Sequence, residues 1–480
     1  MKNKLILIFS LLVSITVVSQ ENKQRFSLQE AIIFALENNR TSKNAQRDIQ
    51  AAKQEKWETT ATGLPQIDAS IGYQNFLKQQ VSLIPAEFFG GNPGEFSEVT
   101  FGTKQSVNAV ATLNQKIFDG SYLVGLQAAK VFLEISKNAK VKTDLGVRKS
   151  VINAYGNVLL AEQSILILER NKAVLKNNLD DLTKIYENGL EEEESVEQLQ
   201  ITLSGVESAL KNTLRLKTLA YQMLNITLGL DVYNNTVVTD SLENLSLKNM
   251  SLDLIESDAN VENTVDYLIA ENNKKSKELL LKLEKSKALP TLNTFVNGGY
   301  QGYDDSFNFT SKNQKWFGSS LFGVSMDIPV FSSLGRSAAT QRAKINLAKS
   351  EDDFIETEQR LKLQIASSKS DYQFAIEDYD NKKQNLNLAE RIEQKNQIKF
   401  FEGIVSSFDL RQAQIQLYSS QQEFLQAMLD VINKKAELET VLKTINNQSH
   451  IHISEPTRPY YSSYAVFCLK KKKKKNTLNI

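Results

Sequence analysis

The sequence predicts a mainly α-helical protein with a small β part, built as two copies of one unit of strands and long antiparallel helical hairpins. Three observations carry this. Within the body, proline occurs only at positions 65, 85, 93, 290 and 329, so that 94–289 and 330–455 contain none. An interior proline costs a helix about 3 kcal/mol, and these stretches are therefore free to form very long helices. Motifs of the first half recur in the same order in the second. The windows around the prolines alternate with period 2, the mark of strands with two different faces.

The repeat is read from collinear matches. Gly189, Gln198, Gln200, Ile201 and Leu203 return as Gly403, Gln412, Gln414, Ile415 and Leu417, each 214 positions later. At nearly the same offset Ile117-Phe118 answers Val330-Phe331, and Ala129-Lys130 answers Ala343-Lys344. Upstream the spacing stretches: Leu64-Pro65-Gln66-Ile67 matches Leu289-Pro290-Thr291-Leu292, and Glu37-Asn38-Asn39 matches Glu271-Asn272-Asn273. The chain divides accordingly into a first repeat over 20–230, a polar linker over 231–262 and a second repeat over 263–446.

The helices follow from spacing. Val151, Tyr155, Val158, Ile165, Leu168, Leu175, Leu179, Leu182 and Tyr186 are separated by 3, 4 or their sum, and Leu199, Leu203, Val206 and Leu210 continue beyond Gly189. This is the narrow apolar seam of a coiled coil. A helix from about Tyr122 to Asn188 would be roughly 100 Å long at 1.5 Å per residue. Gly189 and Gly403 stand where each long hairpin must reverse, and glycine accepts the positive φ that ends a helix.

The strands follow from alternation. Ile67, Ala69, Ile71 and Tyr73 alternate with Asp68, Ser70, Gly72 and Gln74, while Val107, Ala109, Ala111 and Leu113 alternate with Asn108, Val110, Thr112 and Asn114. Thr291–Tyr300 and Ser320–Val330 repeat the pattern less cleanly. Such faces suit a barrel with lipid outside and water inside. Four strands are too few to close a water-filled pore. The segments between paired strands, Lys78–Gly102 and Gly302–Gly318, are loop-like in composition, and are expected to face the outside of the cell.

Residues 1–19 read as a secretory signal peptide: Lys2 and Lys4, an apolar run from Leu5 to Val18, and Val17-Val18-Ser19 before Gln20. The run is too short to span a bilayer as a helix, which takes about 20 residues. Residues 21–449 contain no Cys and no His, since the two histidines are His450 and His452 and the one cysteine is Cys468. Nucleophile–imidazole catalysis, thiolate or imidazole metal ligation and disulfides are thereby excluded from the body. No Gly-rich phosphate loop is present, and no cofactor or metal is expected. Residues 451–458 and 463–475, the latter ending in six lysines, read as a translated sequencing-library adapter running into poly-A. The genuine chain is thus expected to end near Asn447, with 447–480 a disordered tail. The biological alternative is a basic tail for anionic lipid or nucleic acid. The net charge is +1. Setting aside the tail's net +6 and the two leader lysines leaves about −7 for the body, which argues against nucleic acid as a partner.

The order of signal, short helix, Leu-Pro strand hairpin, Ile-Phe-Asp-Gly and long hairpin with a Tyr-x-x-Gly-Leu turn, repeated, resembles the TolC-like outer-membrane efflux family over roughly 25–446. The resemblance implies a homotrimer in the outer membrane, extending into the periplasm. Each protomer would give four strands to a shared 12-stranded barrel and its hairpins to an α-helical tunnel. It also implies a passive conduit for small toxic compounds, with a periplasmic adaptor and an inner-membrane pump as partners, and no enzymatic activity. Family members often carry acidic residues just after the second turn glycine, where the tunnel narrows. Here Asp409 matches the first such position, but Gln412 stands at the next. The first half instead places Glu191, Glu192, Glu193 and Glu194 just after Gly189, which in a trimer would set twelve carboxylates around the mouth. The plain alternative is a solvated helix start, favourable to the helix dipole. The turns at Gly189-Leu190 and Gly403-Ile404 are candidate adaptor-docking sites as well as simple reversals. Trp57 is expected to be a packing residue and Trp316 an interface-belt aromatic. Asp304-Asp305 is a weak candidate for a divalent ion. Within the same fold the rival function is the duct of a type I protein secretion system. From another class it is a periplasmic coiled-coil scaffold, which has no need of strand hairpins.

Overall fold

A computed structural model describes residues 24–256 and 260–442; the leader and the basic tail lie outside them. The first half comprises β1 (Gln24–Phe26), α1 (Leu28–Asn38), α2 (Arg40–Ala61), β2 (Gln66–Asn75), β3 (Val81–Pro85), β4 (Phe96–Thr100), β5 (Gln105–Phe118), α3 (Gly120–Glu187) and α4 (Glu193–Leu228). The connecting segment holds β6 (Thr236–Val238), α5 (Leu242–Lys248) and α6 (Asp253–Glu256). The second half follows as α7 (Val265–Ser286), β7 (Thr291–Asp304), β8 (Trp316–Asp327), α8 (Gly335–Phe401) and α9 (Ser407–Leu442).

Each helix and strand of the second half has a counterpart in the first, whereas β1, α1, β3 and β4 have none in the second. Helices α2 and α7 each have 22 residues, α3 and α8 have 68 and 67, and α4 and α9 have 36 each. One triplet of the sequence repeat does not survive. Glu37-Asn38-Asn39 ends α1, with Asn39 capping α2 through bonds to the Thr41 and Ser42 N–H groups, whereas Glu271-Asn272-Asn273 lies inside α7. The stretched offset upstream of the long helices has a concrete cause. The first loop is not featureless as its composition suggested, but folds into the β3–β4 hairpin. The second loop is shorter than expected, because β7 runs on to Asp304 and β8 starts at Trp316. At its other end β8 stops at Asp327, short of the Val330 expected from alternation.

Most of the apolar seam is buried as its spacing required, while Leu179, Leu203 and Leu210 are half-buried and Tyr186, next to the turn, is exposed. Val151, Tyr155, Val158, Ile165, Leu168, Leu175 and Leu182 of α3 are all buried, as are Leu199 and Val206 of α4. The apolar stretch of α3, with mean hydropathy 1.3, is mostly covered within the protomer, as in a core helix. Around its middle α3 packs with α9 residues Leu425, Met428, Val431, Ile432 and Leu438 into the main core.

The connecting segment, expected to be a polar linker, joins this core. β6 pairs in parallel with β1, and Val238, Leu242 and Leu245 are buried. A tyrosine from each half holds it. The Tyr155 hydroxyl lies 2.9 Å from Phe26 O and 3.0 Å from Asp240 Oδ2, and accepts from the Thr239 and Asp240 N–H groups at 3.2 Å. Burial pushes its pKa up to about 12. In α8 the Tyr372 hydroxyl lies 2.5 Å from Asn249 O and accepts from Ser251 N–H at 3.1 Å. Removing the Tyr155 hydroxyl takes a partner from half-buried Asp240 N–H, while Thr239 N–H still donates to Phe26 O at 3.1 Å, a loss of about 1 kcal/mol. Tyr155→Phe should lower the melting temperature of the detergent-solubilised protein; an unchanged value would show that water replaces the hydroxyl.

Candidate conduit wall and entrance

The four long strands form one sheet in the order β2-β5-β7-β8, antiparallel throughout. The register sorts their side chains between two faces. On one face Ile71 stands opposite Ala109, which opposes Tyr300, which opposes Gly318; the next rungs bring Ile67, Leu113, Val296 and Phe322 into line. Leu292, Val324 and Met326 extend this apolar surface. On the other face Asp68, Thr112, Asn297 and Leu321 share a rung, flanked by Gln66, Asn114, Phe295 and Gly323 on one side and Ser70, Val110, Gly299 and Ser319 on the other. This face is dominated by amides, hydroxyls and glycine. One face thus suits hydrocarbon and the other water, the division a membrane-spanning barrel needs. Both outer edges of the sheet, β2 and β8, are unpaired within the protomer.

Trp316, the first residue of β8, lies on the apolar face beside Gly302, the position expected of a belt aromatic. Trp57, expected to be a packing residue, is 60% exposed on α2. Asp304 and Asp305 serve the backbone: Asp304 accepts from Ser306 N–H at 2.8 Å and Asp305 from Lys104 N–H at 2.9 Å. Among the described residues no group of acidic, His or Cys side chains is placed to hold a metal.

At the far end of the long helices both hairpins turn in the same way. Gly189 and Gly403 have φ of +74° and +72°. Gly189 N–H donates to Tyr186 O and Leu190 N–H to Ile185 O; Gly403 N–H donates to Phe400 O and Ile404 N–H to Lys399 O. This pair of bonds is the Schellman motif, which satisfies the last helical carbonyls and requires the left-handed residue. Leu190 and Ile404 follow it with 78% and 64% of their surface exposed.

The acidic residues after the turns are held differently. Glu192 is the N-cap of α4 without a side-chain cap bond, and Glu193 and Glu194 occupy the first helical turn. Glu191 Oε1 lies 2.5 Å from Ser195 Oγ, which is itself 2.9 Å from Ser407 Oγ, so the two hairpin tips touch. Asp409 closes a capping box with Ser406: its carboxylate accepts from the Ser406 hydroxyl at 2.7 Å and N–H at 3.1 Å, and its own N–H donates to Ser406 Oγ. Those bonds hold the Asp409 carboxyl below the usual carboxylate range. Gln412 is exposed one turn further on.

A polar seam between the tips was not anticipated. Gln397 Nε2 donates to Asn178 Oδ1 at 3.2 Å, and Asn171 Nδ2 to Gln421 Oε1 at 2.8 Å, both across the two halves. Burial pushes the Glu393 carboxyl up, an effect the Gln414 amide partly offsets, and burial followed by the Glu393 charge raises the Tyr418 phenol. Gln414 is fully buried, whereas its repeat partner Gln200 is exposed. Only the departure of these amides from the leucine seam could have marked them.

An elongated helical hairpin pair joined to an open-edged sheet with one apolar and one aqueous face defines an outer-membrane channel protomer. Residues 32–230 and 270–442 match the family described as Outer membrane efflux protein, and the chain belongs to it. It is a channel family, and the protein is not an enzyme. No curated protein sequence matches the chain. Among solved structures it is similar to the channel CusC, with 17% identity, a TM-score of 0.70 and coverage of 87% of this chain and 92% of that one. It is also similar to VceC of Vibrio cholerae (16%, 0.68, 87% and 96%) and to CmeC of Campylobacter jejuni (16%, 0.70, 86% and 85%). At these identities the likeness concerns the fold.

Proposed function

We propose that the chain is the exit duct of a tripartite efflux system, in which three copies close one 12-stranded barrel and one helical tunnel. The open sheet edges carry this reading. In hydrocarbon an unpaired strand edge leaves backbone N–H and C=O groups without partners, so the edges of β2 and β8 must be closed by other copies. Exposed apolar side chains on the helices support it: Leu216, Leu219, Met223 and Ile226 form a stripe on α4 with spacings of 3 and 4, and Leu363, Phe374, Leu388 and Ile392 are exposed along α8. The β3–β4 hairpin and the 305–315 loop then face the cell exterior. The turns at Gly189-Leu190 and Gly403-Ile404 offer apolar side chains to the helical hairpin of an adaptor, and an inner-membrane pump supplies the energy for exporting small toxic compounds. The purified protein should be a trimer in detergent. A monodisperse monomer that conducts ions in bilayers would refute the duct.

In this assembly Glu191, Glu192, Glu193 and Glu194, with Asp409, surround the periplasmic mouth and concentrate cations there. Replacing the four glutamates by glutamine removes charge while keeping size. Cation preference of the single-channel current should fall, most visibly at low salt, where the Debye length is longest. Asp409→Asn should act more weakly, since its carboxylate also caps α9. If the quadruple variant conducts with unchanged selectivity, the acidic run is only a solvated helix start.

A further inference from the structure

We infer that Asp68 sets the ionic preference of the membrane-spanning part of the conduit, one carboxylate per protomer on the aqueous wall. The inference rests on the trimeric duct proposed above. The four spanning strands contain only four ionisable acidic or basic side chains besides tyrosine: Asp68, Lys116, Asp304 and Asp327. Asp304 falls on the apolar parity at the loop end, where its carboxylate accepts from Ser306 N–H. Lys116 and Asp327 have the aqueous parity but sit at the helix end, Lys116 opposite Asn293, which opposes Ser325, and Asp327 opposite Thr291. They carry opposite charges at the same end of that wall, Lys116 on β5 and Asp327 on β8 with β7 between them. Lys116 Nζ also lies 3.5 Å from Asp119 Oδ2. Lys116 thus offsets one of these two carboxylates, and the helix end of the wall keeps a single net negative charge per protomer.

Asp68 has no such compensation. Its rung carries Thr112, Asn297 and Leu321, and the rungs on either side of it on this face hold only neutral side chains. Its side chain is exposed. A carboxylate repeated around a narrow aqueous lumen within low-dielectric walls focuses a negative potential and raises the local concentration of cations. The acidic hairpin tips lie beyond helices of 68 and 67 residues, which at 1.5 Å per residue is roughly 100 Å away. That is far outside a Debye length of about 8–10 Å at physiological to 0.1 M salt, so the two acidic sites act independently.

The test measures reversal potentials of the full chain in planar bilayers under a potassium chloride gradient. Asp68→Asn should move the cation-to-anion permeability ratio towards one, and Asp68→Lys should carry it towards anion preference. A second arm modifies the assembled protein. In a Cys468→Ser background, Asp68→Cys should show the reduced cation preference. A sulfonate-bearing thiosulfonate reagent should restore it, and a trimethylammonium-bearing one should lower it further. Ile67→Cys, facing lipid, should respond to neither reagent. An unchanged reversal potential for Asp68→Asn in a conducting trimer, or failure of the sulfonate reagent to restore selectivity to Asp68→Cys, overturns the inference while leaving the duct intact. A wild-type protein that is not trimeric, or does not conduct, overturns the duct reading and this inference with it.

Discussion

Ile71→Arg is expected to abolish assembly in the outer membrane, whereas Ser70→Arg, one residue earlier, is expected to assemble. The two positions are neighbours on β2 but belong to opposite faces: Ile71 opposes Ala109 on the apolar face, and Ser70 opposes Val110 on the aqueous one. Ile71 is also the sixth of ten residues in its strand, away from either end. A guanidinium on the lipid face within the hydrocarbon costs about 2–4 kcal/mol, and closure as the proposed trimer would repeat the cost in each protomer. The sum approaches the whole stability of a typical fold, about 5–15 kcal/mol. On the aqueous face the same side chain extends into water and meets no such penalty. Trimer yield in isolated outer membranes reads the difference. Equal yields for the two variants would mean that the faces are assigned the wrong way round, or that the sheet does not meet lipid.

The largest effect of a single methyl group is expected at Gly229. This residue ends α4 with φ of +83°, and its N–H donates to Ile226 O while that of Leu230 donates to Asn225 O. A Cβ here would stand 2.4 Å from Asn38 O and 2.7 Å from Asn38 C, because the end of α4 abuts the α1–α2 junction, where Asn39 Nδ2 also donates to Thr227 O at 2.7 Å. The obstacle is backbone, which cannot rotate aside. Left-handed backbone costs a non-glycine residue about 1–2 kcal/mol, and overpacking adds about 1–3 kcal/mol. Gly189→Ala provides the comparison: φ is +74° there but nothing lies within 4 Å of the added carbon, so only the conformational cost of about 1–2 kcal/mol applies. Thermal unfolding of the two variants should separate them clearly. Equal losses would show that the α1–α2 junction yields.

Most of the fold was legible because its elements are long. A seam repeated over many turns, such as Val151 to Leu182, averages out local exceptions, and alternation over 67–73 and 107–113 left one choice of face for each residue. Short elements were invisible for the opposite reason. β3 and β4 have five residues each, and Phe88-Phe89-Gly90-Gly91 between them reads as loop; β6 owes its pairing to β1, some 212 residues away. The match of Glu37 with Glu271 failed because three similar polar residues carry little information without the packing around them. At the tips, the turn glycines were readable from their conformational demand, whereas Asp409 was singled out only through the family resemblance. That its carboxylate caps α9 depends on Ser406, three residues before it, a relation that spacing alone did not single out. Gln414 could not be distinguished from Gln200 at all, since which amide is buried is decided by contact between the two halves.

The equal lengths of α4 and α9 bear on how this protein can change over evolutionary time. The contact between Ser195 and Ser407 shows that the two rods of 36 residues start at the same level, and equal lengths carry that match along both arms. Each hairpin therefore acts as a gauge for the other. A seven-residue insertion in both arms of one hairpin would preserve its seam, yet it would push that tip about 10 Å beyond its neighbour at 1.5 Å per residue, leaving a stepped rim in place of a level one. Changes of reach must then come as matched insertions in all four long arms. Changes in the connecting segment or in the β3–β4 hairpin carry no such constraint, and the segment between the paired strands is indeed longer in the first half than in the second.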